Sequence, residues 1–303
     1  MYDLIIIGGG PAGLSAGMYA GRANLKTLVI DKGLPGGQMQ NTLEVENYPG
    51  FKQITGPELS EHMHEHMLTF GAEFKQAEVE KVSLDRQIKK IFLVGEAPIQ
   101  GKAIMIASGA QPRYLNVAGE RQFSGRGVSY CATCDGAFFR NKKVVVVGGG
   151  DSAVEEGLFL TRYAQSVTII HRRAALRAQP ILQERAFANE KISFIWNSIV
   201  SEIKGEQKVT SVMVSDVSSK HTQEIDTDGV FIYVGFTPNT EYLKDSPVLN
   251  AGGYIETDMN MATTISGVFA VGDVRETNLR QIVTAASDGA IAAMASYHYL
   301  ETL

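Results

Sequence analysis

One arrangement occurs twice in this chain and limits its fold more than any other feature. Residues 2–33, YDLIIIGGGPAGLSAGMYAGRANLKTLVIDKG, and residues 143–173, KVVVVGGGDSAVEEGLFLTRYAQSVTIIHRR, share one order. An unbroken apolar run leads through a glycine turn into a helical stretch and then a second apolar run. Apolar runs without alternation are strands buried on both faces, as in a parallel sheet. Gly8, Gly10 and Gly13 satisfy G-x-G-x-x-G in the first copy, and Gly148, Gly150 and Ala153 satisfy the alanine-ending variant in the second. The first glycine permits the tight turn, the second lets backbone approach a pyrophosphate, and the third lets helix pack on strand. The helix N-terminus then offers free N–H groups and partial positive charge to phosphates. Two such units predict an α/β protein with two Rossmann-like dinucleotide-binding domains.

The end of each second strand separates the two ligands. The position 23 residues beyond Gly8 is Asp31, and 23 beyond Gly148 it is His171. An acid there accepts hydrogen bonds from a ribose 2′-hydroxyl and repels a 2′-phosphate. His171, Arg172, Arg173 and Arg177 do the reverse, because guanidinium groups bind phosphate through paired N–H donors. The second unit therefore reads as an NADPH site. The first takes NAD or FAD. Near the C-terminus GVFAVGDV, residues 267–274, is a buried strand ending in Gly-Asp, and the helical stretch after it is rich in small residues. A strand-end acid suits a ribityl hydroxyl, which favours FAD in a site closed by the last segment.

The chain thus leaves the first domain, builds the second and returns. Gly- and Pro-containing crossovers at 108–127 and 233–253 place the boundaries at residues 1–112, 113–240 and 241–303. Alternating stretches between Thr69 and Ile106 predict a small antiparallel sheet appended to the first domain. A formal net charge of −5 argues against nucleic-acid binding. No apolar run reaches the ~18 residues of a membrane span. No charged leader with an apolar core begins the chain, so a cytoplasmic protein is expected.

Both cysteines, Cys131 and Cys134, lie in SYCATCDG. A metal site needs two more ligands, and His62, His64 and His66 read as a solvated helix surface on which only His62 and His66 share a face. A structural staple closing so short a loop constrains little of the unfolded chain. A redox pair remains.

The motifs GGGPAG, PGGQ, VENYPG, CATCDG, GGGDSAVEE, HRRAALR and GDV…RQ occur in order along the whole chain, which resembles the low-molecular-weight thioredoxin reductases of the bacterial type. The resemblance implies a homodimeric flavoprotein that uses NADPH to reduce the disulfide of thioredoxin or a thioredoxin-like protein. It places the FAD pyrophosphate over Gly8, Gly10, Pro11, Ala12 and Gly13, with Asp31 on the adenosine ribose and Gln38 and Asn47 beside the flavin. Asp273 would meet the ribityl chain, and Arg280, Gln281 and Ile282 the ring. Gly150, Asp151, Ser152 and Glu155 would hold the NADPH pyrophosphate and ribose, with His171, Arg172, Arg173 and Arg177 around the 2′-phosphate. Cys134 would face the flavin, Cys131 would attack the partner's disulfide, and Asp135 would act as general acid. Because nicotinamide and disulfide must both reach one flavin, the family's answer is rotation of the NADPH domain about the two crossovers. Two points depart from the pattern: Ser287 stands where glycine is expected, and Asp31 occupies a position the family varies. A flavin-dependent ferredoxin–NADP reductase would lack the C-x-x-C. A reductase dedicated to a peroxidase would carry an extra N-terminal domain with its own cysteine pair. A related NADPH-dependent flavin reductase for another thioredoxin-like partner is the alternative.

Overall fold

The first apolar run folds as β1 (Tyr2–Ile7), the glycine turn follows, and α1 (Pro11–Arg22) starts with proline at its first position, where no N–H is needed. The computed structural model describes residues 1–303 except Leu43, Asp85 and Asp245. After β2 (Thr27–Asp31) comes α2 (Gly56–Thr69). Thr55 caps α2: its hydroxyl accepts from the Glu58 N–H, and Glu58 accepts from the Thr55 N–H in return. Such a cap contributes about 1 kcal/mol. Then follow β3 (Glu73–Gln76), β4 (Val79–Ser83), β5 (Lys89–Leu93), β6 (Ile99–Ile106) and β7 (Ala110–Pro112).

The second unit opens with β8 (Val128–Ser129) and the single turn α3 (Ala132–Asp135), which carries Cys134 and starts from Cys131. The second repeat is β9 (Lys143–Gly148), α4 (Asp151–Leu160) and β10 (Ser166–Ile170). It continues as α5 (Pro180–Phe187), β11 (Ile192–Ile195), β12 (Ser198–Gly205), β13 (Val209–Asp216), β14 (Thr222–Asp226) and β15 (Gly229–Tyr233). Strands β11-β10-β9-β15-β8 form an all-parallel sheet in that order. Strands β12-β13-β14 form a separate antiparallel sheet, which the sequence reading does not include.

The chain then forms β16 (Phe236–Pro238), paired with β7, followed by β17 (Val268–Ala270) and the long α6 (Ile282–Glu301). By contact density, residues 1–111 and 237–303 form one unit and 112–236 the other. In the first unit β3, β2, β1, β6 and β17 lie parallel in that order, the order of a doubly wound half. The hairpin β4–β5 extends the same sheet in the antiparallel sense, through the N-terminal end of β6. Alternate residues of β1 enter two cores: Leu4 and Ile6 pack with α1 and α6, while Ile5 and Ile7 pack with Leu28, Ile30, Ile104 and Val274. Burial on both faces is why β1 reads as an unbroken apolar run.

Small residues let α6 lie directly on α1. A Cβ at Gly289 would stand 2.2 Å from the Ala12 carbonyl, and the Ser15 hydroxyl donates to the Ala286 carbonyl at 2.7 Å. Ser287 points outward and is exposed, so the glycine pattern of this helix is needed at Gly289, not at 287.

Candidate dinucleotide and disulfide sites

In the first unit Gly8 has φ +116°, and a Cβ there would stand 2.2 Å from the Ala107 carbonyl. At Gly13 it would stand 1.9 Å from the Gly8 carbonyl. Gly10, between them, faces open space within 4 Å. No side chain caps α1, so its first N–H groups stay available. This open cradle in front of uncapped N–H groups fits a pyrophosphate. Asp31 closes the turn: its carboxylate accepts from the Gly9 N–H at 2.6 Å and the Gly33 N–H at 2.8 Å. Its remaining lone pairs are what a ribose hydroxyl could use. Gln38 is exposed on the one-turn helix Gly37–Asn41.

The C-terminal segment adds a second group of residues. Asp273 sits on the single turn Gly272–Val274 at the end of β17. Burial pushes its carboxyl up to about 6; the Arg280 guanidinium opposes this and the Asp288 carboxylate adds to it. Arg280 lies over the Tyr254 ring, 5.2 Å from its centroid. Asn47 and Gln281, far apart in sequence, meet where Asn47 Nδ2 donates to Gln281 Oε1 at 3.0 Å, just before Ile282 opens α6.

The second unit repeats the cradle with a different edge. Gly150 faces open space, and α4 has no side-chain cap. Asp151 turns aside to accept from the Gln179 N–H at 2.7 Å, while Ser152 and Glu155 are exposed on the first turns of the helix. The ring of His171 lies under the turn, where a Cβ at Gly149 would stand 2.3 Å from Nδ1. Burial, then the charges of Arg177, Arg173 and Arg172, hold this imidazole below its usual range, so it is neutral at pH 7. The three arginines are themselves exposed, and among the described residues none makes an ion pair. The backbone N–H of Arg177 donates to the Gly149 carbonyl at 2.7 Å, which ties the basic loop to the glycine turn. Unpaired guanidinium groups beside an open cradle fit a nucleotide bearing an extra phosphate.

Cys131 and Cys134 are joined as a disulfide with Cα atoms 5.3 Å apart. The Cys134 N–H donates to the Cys131 sulfur at 3.2 Å. Ser129, at the end of β8, is the organising residue: its hydroxyl donates to Asp135 Oδ2 at 2.6 Å and accepts from the Cys131 N–H at 3.1 Å. Burial raises the Asp135 carboxyl above the ordinary carboxylate range, and the Ser129 hydrogen bond pulls the other way. A buried acid of raised proton affinity beside a disulfide is suited to giving and taking a thiol proton.

Two residues hold these sites without belonging to a motif. Asp288 on α6 accepts from the Gly272 N–H at 3.1 Å and from Arg275 Nε at 2.7 Å, fixing the turn that carries Asp273. Ser129 does the same for Asp135. A buried acid inside a small-residue helix is the one sequence signal that points to Asp288; nothing singles out Ser129. His64 differs from the sequence reading: it is half-buried, edge-on to Phe74 at 5.0 Å, while His62 and His66 are exposed. Among the described residues no cluster could hold a metal ion.

Residues 2–289 match the model of the pyridine nucleotide-disulphide oxidoreductase family. A thioredoxin reductase of Bacillus subtilis (strain 168) is 53% identical over 304 residues, covering 100% of this chain and 96% of that protein. The crystal structure of thioredoxin reductase from Streptococcus pyogenes MGAS5005 superposes with a TM-score of 0.95 at 50% identity, covering 100% of this chain and 99% of that one. Thioredoxin reductase from Giardia duodenalis gives 0.94 at 37% identity, with 99% of both chains covered. Two open cradles, one edged by an acid and one by arginines, and a C-x-x-C disulfide beside a buried acid agree with these matches: the chain belongs to the pyridine nucleotide-disulphide oxidoreductase family, among the low-molecular-weight thioredoxin reductases, whose members contain FAD and use NADPH.

Proposed function

We propose that the chain is an NADPH-dependent thioredoxin-disulfide reductase containing FAD. The observation that carries this reading is the Cys131–Cys134 disulfide held beside the Ser129–Asp135 pair, in a chain with two dinucleotide cradles. NADPH supplies a hydride and FAD relays its two electrons; the chain's own residues do the rest. In the first unit Gly8, Gly10, Pro11, Ala12 and Gly13 seat the FAD pyrophosphate, with Asp31 at the ribose, Gln38 and Asn47 beside the ring, Asp273 at the ribityl chain and Arg280, Gln281 and Ile282 at the ring edge. In the second, Gly150, Asp151, Ser152 and Glu155 seat NADPH, and Arg172, Arg173 and Arg177, backed by His171, select its 2′-phosphate.

Two electrons cleave the Cys131–Cys134 bond and leave two sulfurs, one of which takes a proton through Asp135. As thiolate, Cys131 attacks the disulfide of oxidised thioredoxin or a thioredoxin-like protein, breaking that bond: a mixed disulfide forms and the partner's other sulfur leaves as thiolate. Cys134, deprotonated through Asp135, then attacks the Cys131 sulfur, expels the partner's bound sulfur as thiolate and restores the starting bond. The protein is proposed to work in the cytoplasm and as a homodimer, the second on the family resemblance alone. Among the described residues no helix is long and apolar enough to cross a membrane.

Anaerobic titration of the purified protein with NADPH tests the reading. Uptake of about four electrons per chain is expected, falling to about two in Cys134→Ser. Uptake of two in the parent protein, with free thiols unchanged, would overturn it in favour of a flavin–NADP oxidoreductase without dithiol chemistry.

A further inference from the structure

Behind the disulfide lies a second acid that no motif assigns. Glu156 projects from the middle of α4, one residue beyond the cofactor-facing Glu155, and is half-buried. Its Oε2 has no hydrogen-bond partner, and neither has the hydroxyl of Tyr233 at the end of β15. Both groups face the same backbone N–H, that of Ala132, the residue between Cys131 and Thr133. The Tyr233 hydroxyl also senses the Asp135 carboxyl. The cluster therefore runs Glu156, Tyr233, Asp135 around the inner side of the C-x-x-C turn, with Ala132 wholly buried at its centre.

We propose that Glu156, its carboxyl Oε2 buried and unpartnered behind the Ala132 turn, is a positioning residue for the dithiol: its charge governs how readily the reduced cysteines form thiolate. The inference rests on the Cys131–Cys134 pair being the working redox centre. No bond is made to Glu156; it loses or gains one proton with solvent, and its effect on the sulfurs is electrostatic.

The surroundings support this. Burial pushes the Glu156 carboxyl up to about 7, the Glu155 carboxylate pushes in the same direction, and the Ala132 N–H works against both. The charged and titratable groups facing it are Glu155 on its own helix and Tyr233, whose phenol burial holds well above its usual range; Asp135 at the end of α3 faces Tyr233 in turn. Strands β9 and β10, on which α4 also packs, contribute apolar side chains such as Val144, Val146, Val167 and Ile169. Helix α5 meets α4 through Leu182 and Ala186, with Glu184 and Arg185 exposed. A carboxyl so placed changes charge within the pH range in which thiols of C-x-x-C pairs titrate. A new negative charge near a sulfur disfavours its thiolate, and in a partly desolvated setting the effect is worth roughly three- to tenfold in an equilibrium.

Alkylation tests this apart from turnover. The holoprotein is reduced with a phosphine, and the rate of iodoacetamide addition is followed from pH 5 to 9; the chain has only these two cysteines. The parent profile is expected to show an inflection near neutral pH in addition to the thiol titration. Glu156→Gln should lose it and react roughly three- to tenfold faster at pH 7.5. Glu184→Gln, the same charge change on exposed α5, should follow the parent. A parent profile without the extra inflection, a Glu156→Gln profile that superposes on the parent, or an equal change in Glu184→Gln would each overturn the proposal. If the pair were not redox-active in turnover, the NADPH titration would fail while this measurement could still succeed, so the two ideas fall separately.

Discussion

The tightest contact in the first cradle makes a quantitative prediction. A methyl group added at Gly13 would sit 1.9 Å from the Gly8 carbonyl oxygen, where side-chain carbons do not come closer than 3.0 Å. The start of α1 and the end of β1 would have to part by about 1 Å. Gly8 cannot yield, because it is held at φ +116° with the Ala107 carbonyl packed where its own Cβ would be. Forced repacking of a tight site costs about 1–3 kcal/mol, and a backbone-on-backbone contact belongs at the upper end. Replacing a helical glycine by alanine returns about 1 kcal/mol of intrinsic propensity. Gly13→Ala is therefore expected to lose about 2 kcal/mol, read as a lower urea midpoint at unchanged slope. It should also lower flavin content, since the same displacement moves the first N–H groups of α1. The second unit supplies the internal control, because its third motif position is already alanine: Ala153→Gly should cost only about 1 kcal/mol, the propensity difference. An unaltered midpoint and full flavin content in Gly13→Ala would refute the packing argument.

Removing Asp288 strips the Gly272 N–H and the Arg275 guanidinium of their shared acceptor. Asp288→Ala should cost about 3 kcal/mol, as uncompensated half-buried charges do, and weaken flavin retention, measured by denaturant unfolding and flavin release. Asp273, whose carboxyl stands at about 6 against 3.8 unperturbed, predicts a pH dependence of the flavin-free protein. The folded state holds this proton over a range where the unfolded chain has lost it. Stability on this account falls as pH rises from about 4 to about 6, by at most about 3 kcal/mol and less where water reaches the carboxyl. Asp273→Asn should remove that slope while reducing flavin affinity; a slope that persists would show that the group is not burial-shifted.

What could be read from the sequence was whatever short spacing controls. The two glycine turns, the strands they follow and the C-x-x-C are local patterns, so β1 to β2 and β9 to β10 could be recognised before any contact was known. The small-residue stretch of α6 was legible as a helix, but not that it lies directly on α1, nor that the residue requiring glycine is Gly289 and not 287. Long-range placement was not legible in the same way. Ser129 reaches Asp135 because β8 ends where α3 begins, and Asp288 reaches Gly272 only once α6 lies beside the end of β17. The meander β12–β14 does alternate apolar and polar residues, yet it is embedded in a parallel unit, where the dominant strand pattern is unbroken. His64 misleads for a related reason: its helix position shows it apart from His62 and His66, but only the fold brings Phe74 against it.

The pairing of Asp31 with His171 shows why counting along a repeat can identify chemistry. Both lie 23 residues past the first glycine of their unit, and both rest against the middle glycine of their turn. A Cβ at Gly9 would meet the Asp31 Cβ at 3.2 Å, and one at Gly149 would meet the His171 ring at 2.3 Å. The two positions are thus equivalent in space as well as in number. They differ in what they present. Asp31 turns its carboxylate onto the Gly9 and Gly33 amides and leaves a negative edge; His171 packs its neutral ring under the turn and leaves the edge to Arg172, Arg173 and Arg177. Because the scaffold around each cradle is the same, the proposed discrimination between a bare ribose and one bearing a phosphate would fall to the sign of charge at that edge. Exchanging these edge charges, and not the glycines, is the change that should move nucleotide preference.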